Sequence, residues 1–214
     1  MLKIPRRSIA KWSNEGIIKG LKVRFALGKH GYNYLHRIGF PVPSYSTLNK
    51  RLQGLEMNFG VISDMIELLK IKGEKMDASD KDCILSLDEM EISGNPDFDV
   101  SKRKFIGKCT LGNQKGAGNH YLVILLRGLK LKWKQVVAHE ITGQVTGCQL
   151  KQLVVNVIEA VNSVGFNVVG IVSDMAAVNR SLWNSLGITV SRNQRINFTT
   201  DIKGKIIYVF ADVP

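Results

Sequence analysis

The stretch Leu150–Asp174, LKQLVVNVIEAVNSVGFNVVGIVSD, decides the fold. Leu150, Leu153, Val154, Val157, Ile158 and Val161 recur at i, i+3, i+4, i+7, the spacing of one helix face, and Gly165 closes the pattern. Val168 to Val172 then runs without a polar side chain, as a strand buried on both faces does, and Asp174 ends it. A helix feeding a fully apolar strand is one crossover unit of an α/β layer.

Working outward, Ala176 to Leu186 reads as a further helix carrying Ala177, Leu182, Trp183 and Leu186, and Ile206 to Phe210 as another apolar strand halted by Asp212 and Pro214. Upstream, Cys83 to Leu87 reads as a strand ending in Asp88 and Glu89, Phe105 to Leu111 as a second, and Lys134 to Ile141 as a third. Tyr121 to Leu126 is apolar throughout, and its periodicity does not separate helix from strand. Three strands, then helix, strand, helix, strand, is the order of a ribonuclease H-like mixed sheet flanked by helices. In that topology the first and fourth strands are neighbours at a switch point, so Asp88 and Asp174 would face one cleft.

The head of the chain differs in kind. Ile9, Trp12, Ile17, Ile18, Leu21 and Phe25 suit a helix from Ser8 to Leu27, broken by Gly28 and Gly31. A second short segment carries Tyr32, Tyr34, Leu35 and Ile38, and a third begins at Ser44 or Ser46, either of which can cap it. Three short helices with a basic last one describe a helix-turn-helix that would place Lys50, Arg51 and Gln53 in a major groove. Val61 to Ile71 reads as a packing helix and Lys72 to Lys81 as a charged linker. The expected divisions are therefore 1–56 for the helix-turn-helix, 57–81 for helix and linker, and 82–214 for the incomplete ribonuclease H-like part.

Composition narrows the function. The 214 residues are 44% hydrophobic and 22% charged, enough apolar content for an ordinary core. The longest apolar runs are six residues, far below the roughly 18 a membrane span requires. Three widely spaced cysteines, Cys83, Cys109 and Cys148, form neither a disulfide framework nor a zinc motif, and fit a reducing compartment. The net charge of +12 is unevenly spread: residues 1–54 carry eleven Lys and Arg against one acid, Glu15, residues 55–100 carry four against twelve, and residues 101–214 carry fifteen against five. A basic head of that density points to a polyanion, because each cation placed on a phosphate releases counterions.

Two carboxylates converging at strand ends repel unless a cation sits between them, and oxygen donors select a hard ion such as Mg2+. Paired Mg2+ ions promote in-line phosphodiester displacement. Local structural roles also account for both acids: Asp174 precedes a helix it could cap, and Asp88 could end a strand at the surface. Gly112 to Gly118 lacks the spacing of a phosphate loop, the four histidines show no ligand spacing, and no serine or cysteine has the setting of an activated nucleophile.

Against these residues a family resemblance can be set. The chain resembles P-element-type transposases at Trp12-Ser13-Asn14-Glu15 through Ile17, Gly31-Tyr32 to Leu35, Pro41-Val42-Pro43-Ser44 with Thr47-Leu48, and Leu85-Ser86-Leu87-Asp88-Glu89-Met90. It does so again at Trp133-Lys134-Gln135, Val172-Ser173-Asp174-Met175-Ala176-Ala177-Val178-Asn179-Arg180 and Asp212-Val213-Pro214. The resemblance implies DNA as partner, a nuclear location, Mg2+-dependent cleavage and joining of DNA, and a homo-oligomer in the full-length protein, with no membrane and no small-molecule substrate. Asp88 matches the first catalytic aspartate and Asp174 the second, both as metal ligands. The family's catalytic glutamate, and the inserted domain that binds GTP, lie further along than residue 214, which implies feeble activity at most for this stretch, or a domesticated DNA-binding protein without chemistry. Asp212 is a third acid that could approach the same cleft, although a proline-opened helix would explain it equally well.

Overall fold

The computed structural model describes residues 12–53, 57–100, 103–112, 116–189 and 198–212. The chain divides into two compact units, Met1–Leu55 and Glu56–Pro214.

In the first unit, α1 (Asn14–Arg37) starts where the Ser13 hydroxyl accepts the Gly16 N–H at 3.1 Å. Trp12 and Ser13 are not helical, so the helix begins later than the apolar pattern from Ile9 suggests; residues 8–11 lie outside the described set. Gly28 breaks α1 as expected, with φ 66° and ψ −177°, a conformation only glycine adopts freely, while Gly31 stays helical. In α2 (Tyr45–Gln53) the cap is Ser44, whose hydroxyl accepts the Thr47 N–H at 3.1 Å. Ile17, Leu21, Tyr32, Val42 and Leu48 are buried, and the Tyr32 hydroxyl donates to the Pro43 carbonyl at 2.7 Å. Gly20 permits this packing: a Cβ there would lie 3.0 Å from Pro43 Cδ.

The second unit begins with β1 (Gly60–Val61) and α3 (Ser63–Gly73). The helix expected over 61–71 thus begins two residues later, because Val61 pairs with Ala138 in the sheet, and it runs on to Gly73. A 3-10 turn at Ala78–Asp80 leads into β2 (Asp82–Glu91), which continues through both acids expected to terminate it. Next come β3 (Asp97–Asp99) and β4 (Lys104–Ile106), β5 (His120–Gly128), β6 (Lys134–Thr142), α4 (Gly147–Ser163), β7 (Asn167–Ser173), α5 (Ala177–Ser185), β8 (Thr199–Ile202) and β9 (Lys205–Ala211).

Seven strands form one sheet in the order β1-β6-β5-β2-β7-β9-β8. β2, β7 and β9 are parallel, whereas β5, β6 and β8 pair antiparallel with their neighbours. This is the ribonuclease H-like mixed sheet, with one correction to its second strand. Phe105 to Leu111 does not enter the sheet: β4 pairs only with β3, Phe105 is 67% exposed, and Gly107 turns the chain away at φ 107°. The apolar stretch Tyr121–Leu126 takes that place as β5, hydrogen-bonded between β2 and β6, with Leu122, Ile124 and Leu126 turned to the buried face. β8 forms in a polar stretch that carries no strand pattern; Lys203 and Gly204, both at positive φ, make the tight turn that returns it to β9.

One face of the sheet is dry. Cys83, Leu85 and Leu87 of β2 and Leu122, Ile124 and Leu126 of β5 pack with Leu153, Val154 and Val157 of α4 and Leu182 and Trp183 of α5. α4 is fixed at both ends, by a capping box between Thr146 and Gln149 and by Gly165 at φ 87°, where Gly165 and Phe166 donate to Asn162 and Val161. At Gly147 the helix approaches α5 so closely that a Cβ would meet the Ser181 carbonyl oxygen. The opposite face leaves Ser86, Val123, Leu125 and Val172 half-buried and Asp88, Arg127 and Lys134 exposed.

Candidate functional site

Asp88 and Asp174 come together through the parallel register of β2 and β7. Ser86 lies opposite Val172, and two residues further on each strand reaches its aspartate at the same level. Ser173 in turn lies opposite Ala211, one residue before Asp174 and Asp212, and the Asp212 N–H donates to the Ser173 carbonyl at 2.8 Å. Three acids therefore form a lateral row on adjacent strands, spaced by about 4.8 Å of backbone. They line one cavity of about 550 Å3 with Ser86, Val123 and Leu125 as part of its floor.

Each acid is held differently. Asp174 Oδ1 accepts the Ala176 N–H at 2.9 Å and Asn179 Nδ2 at 2.6 Å, so it does share in starting α5, though the cap itself is Ala176. Asp88 Oδ1 accepts the Glu89 N–H at 2.9 Å. In both residues Oδ2 has no hydrogen-bond partner among the described residues, leaving one oxygen of each carboxylate to a ligand. Glu89 is excluded by the pleat: its Oε1 accepts the Thr142 hydroxyl at 2.6 Å on the other side of the strand. Below Asp174, buried Ser173 accepts the indole N–H of Trp183 at 3.0 Å, tying the end of β7 to α5.

The donor set suits Mg2+, which takes one or two carboxylates and keeps waters or substrate oxygens in its other positions. Among the described residues no three His, Cys, Asp or Glu side chains converge tightly enough to cage an ion by themselves. Cys83 faces the dry side, and burial pushes its thiol up to about 12, which makes it a core residue rather than a nucleophile. Sequence reasoning missed Asn179, which holds Asp174, and the cations Arg127 and Lys134, which line the far part of the same cavity. Asn179 lies five residues beyond Asp174 at a helix start, a visible signal; the two cations are assembled only by strand pairing.

The three residues of the first unit expected to enter a groove fare unevenly. Lys50 is exposed and has no side-chain partner among the described residues. Arg51 donates to Asn14 Oδ1 at 3.0 Å. Gln53 ends α2, and its side chain lies outside the described residues. Arg24 is spent on structure, bonding Asn49 and the Tyr45 hydroxyl while its guanidinium lies 4.1 Å over the Tyr45 ring.

Fold and site together define a ribonuclease H-like α/β protein with a row of aspartates at the carboxyl ends of its central parallel strands. The family model described as TNP-like, RNase H N-terminal domain matches residues 57–187, and the chain belongs to this family of P-element-type transposases. It is 30% identical over 187 residues to the Transposable element P transposase of Drosophila melanogaster, covering 87% of this chain and 23% of that protein. The solved structure of a Drosophila P element transposase strand transfer complex aligns with 96% of this chain and 42% of that one, at 26% identity and a TM-score of 0.60. The chain thus spans about a quarter of the length of the curated relative.

Proposed function

We propose that the chain is the DNA-binding and partial catalytic portion of a nuclear transposase, in which Asp88 and Asp174 hold Mg2+ for cleavage and joining of DNA phosphodiesters. The observation that carries it is the row of Asp88, Asp174 and Asp212 at one level of three parallel strands, opening on a single cavity. Mg2+, when bound, supplies charge neutralisation at the phosphate undergoing displacement. The residues supply position. Asp88 projects from the central strand of the sheet, and Asp174 is clamped by a backbone N–H and by Asn179, so neither carboxylate has to be ordered when substrate arrives. Asp212, at the end of the row, lines the same cavity as a third acid. The exposed face along the strands admits a polymer rather than a small molecule, and Lys50 and Arg51 of α2 are assigned to DNA contact. Assembly into homo-oligomers and a GTP requirement belong to the full-length family protein.

Nicking of supercoiled plasmid by the purified chain with Mg2+ or Mn2+ tests the proposal. Metal-dependent nicking is expected, abolished in Asp88→Asn and Asp174→Asn while DNA binding persists. That no three metal-ligating side chains converge among the described residues favours a second reading, a DNA-binding module without chemistry. Salt-sensitive binding by the parent, with no nicking and no response to either substitution, would establish that module instead.

A further inference from the structure

Arg127 and Lys134 are register partners across β5 and β6, two cations directly opposite each other on the exposed face. Like charges so placed destabilise an antiparallel pair. Neither makes an ion pair or side-chain hydrogen bond with any described residue, yet both line the cavity that holds the three aspartates. Arg127 also lies opposite Ile84, four residues before Asp88 on β2; about 13 Å along the strands combined with about 4.8 Å sideways per strand sets Arg127 about 14 Å and Lys134 about 16 Å from Asp88. These distances correspond to about four to five nucleotides of one strand at about 3.4 Å each along a duplex axis.

We propose that Arg127 and Lys134 grip the sugar-phosphate backbone of the DNA whose scissile bond faces Asp88 and Asp174, about four to five nucleotides from it, fixing its path along the open sheet face. The assignment rests on the metal-site function proposed above. A phosphate between the two side chains relieves their repulsion, and the guanidinium fork adds direction that a single lysine lacks. One end of the cavity is thereby anionic and metal-binding, while the other is cationic and metal-independent.

The test compares the full chain with Arg127→Gln/Lys134→Gln and with Lys70→Gln/Lys75→Gln, which removes the same charge from α3 and the residues just after it. DNA affinity is measured by fluorescence anisotropy on a 30-base-pair duplex in EDTA between 50 and 200 mM salt. Losing two phosphate contacts should reduce the slope of log affinity against log salt by about 1.8, so the deficit of the cavity variant grows about 12-fold from 200 to 50 mM. Its melting temperature should equal or exceed the parent's, which excludes misfolding as the cause. A slope like the parent's, or one matched by the α3 control, overturns the proposal. Mn2+ binding, read separately by electron paramagnetic resonance, should survive in the cavity variant. If the parent itself binds no Mn2+, the metal site fails while the slope result still reports on the two cations, so the two failures are distinguishable.

Discussion

Replacing Asp174 by asparagine is expected to stabilise the metal-free chain, and by more than the same change at Asp88 or Asp212. Asp174 is the middle acid of the row, because β7 lies between β2 and β9. Two carboxylates about 5 Å apart in water repel by about 0.8 kcal/mol, which exposure and physiological salt reduce to about 0.5 kcal/mol per pair. Neutralising the central acid removes two such pairs, or about 1 kcal/mol; neutralising either end removes one. An asparagine at 174 keeps an acceptor oxygen for the Ala176 N–H and the Asn179 amide, so the local turn survives. For a unit of this size the gain corresponds to about 2–4 °C in melting temperature for Asp174→Asn and about half that for Asp88→Asn and Asp212→Asn. Differential scanning calorimetry in EDTA at low salt measures it. The differences should vanish in 1 M salt, where the Debye length is about 3 Å. Added Mg2+ should raise the parent's melting temperature and leave that of Asp174→Asn nearly unmoved. A rise for Asp88→Asn equal to that for Asp174→Asn, or no rise for any of the three, would refute the lateral row.

Trp183→Phe should cost about 1–3 kcal/mol, because it leaves the buried Ser173 hydroxyl without its 3.0 Å indole donor; thermal melts should show the loss, and adding Ser173→Ala should recover part of it. Lys72 is pushed down to about 8 by burial, while its ammonium lies 4.2 Å over the Trp133 ring. Since the unfolded chain binds this proton more tightly, the penalty is fully present below about pH 8 and is relieved as pH rises toward the ordinary lysine value near 10.5. Lys72→Met should therefore flatten the rise in stability between pH 8 and 10, measured by urea denaturation at a series of pH values.

Local chemistry made much of the second unit legible. The i, i+3, i+4 apolar face of α4, its Gly165 stop and the unbroken apolar run of β7 are each enforced within a few residues, so they appear in the structure as the sequence reads them. The break at Gly28 and a serine cap on α2 were visible for the same reason. Where two readings competed locally, long-range pairing decided. Tyr121–Leu126 became a strand because β2 and β6 flank it, Phe105–Leu111 stayed outside because its start pairs with β3 and Gly107 then turns the chain, and Val61 was drawn from a helix into an edge strand by Ala138.

The same division runs through the site. The strands that carry Asp88 and lead to Asp174 follow from hydropathy and residue type, which act along the chain, and so the sequence by itself marked both acids as belonging to one sheet. Their common level, the entry of Asp212 beside them, and the exclusion of Glu89 depend on register and pleat. Register is set by how side chains from distant segments interdigitate, and a slip of one residue would send each acid to the other face. Only tertiary structure could decide that, as it alone placed Arg127 opposite Lys134 within reach of the same cavity.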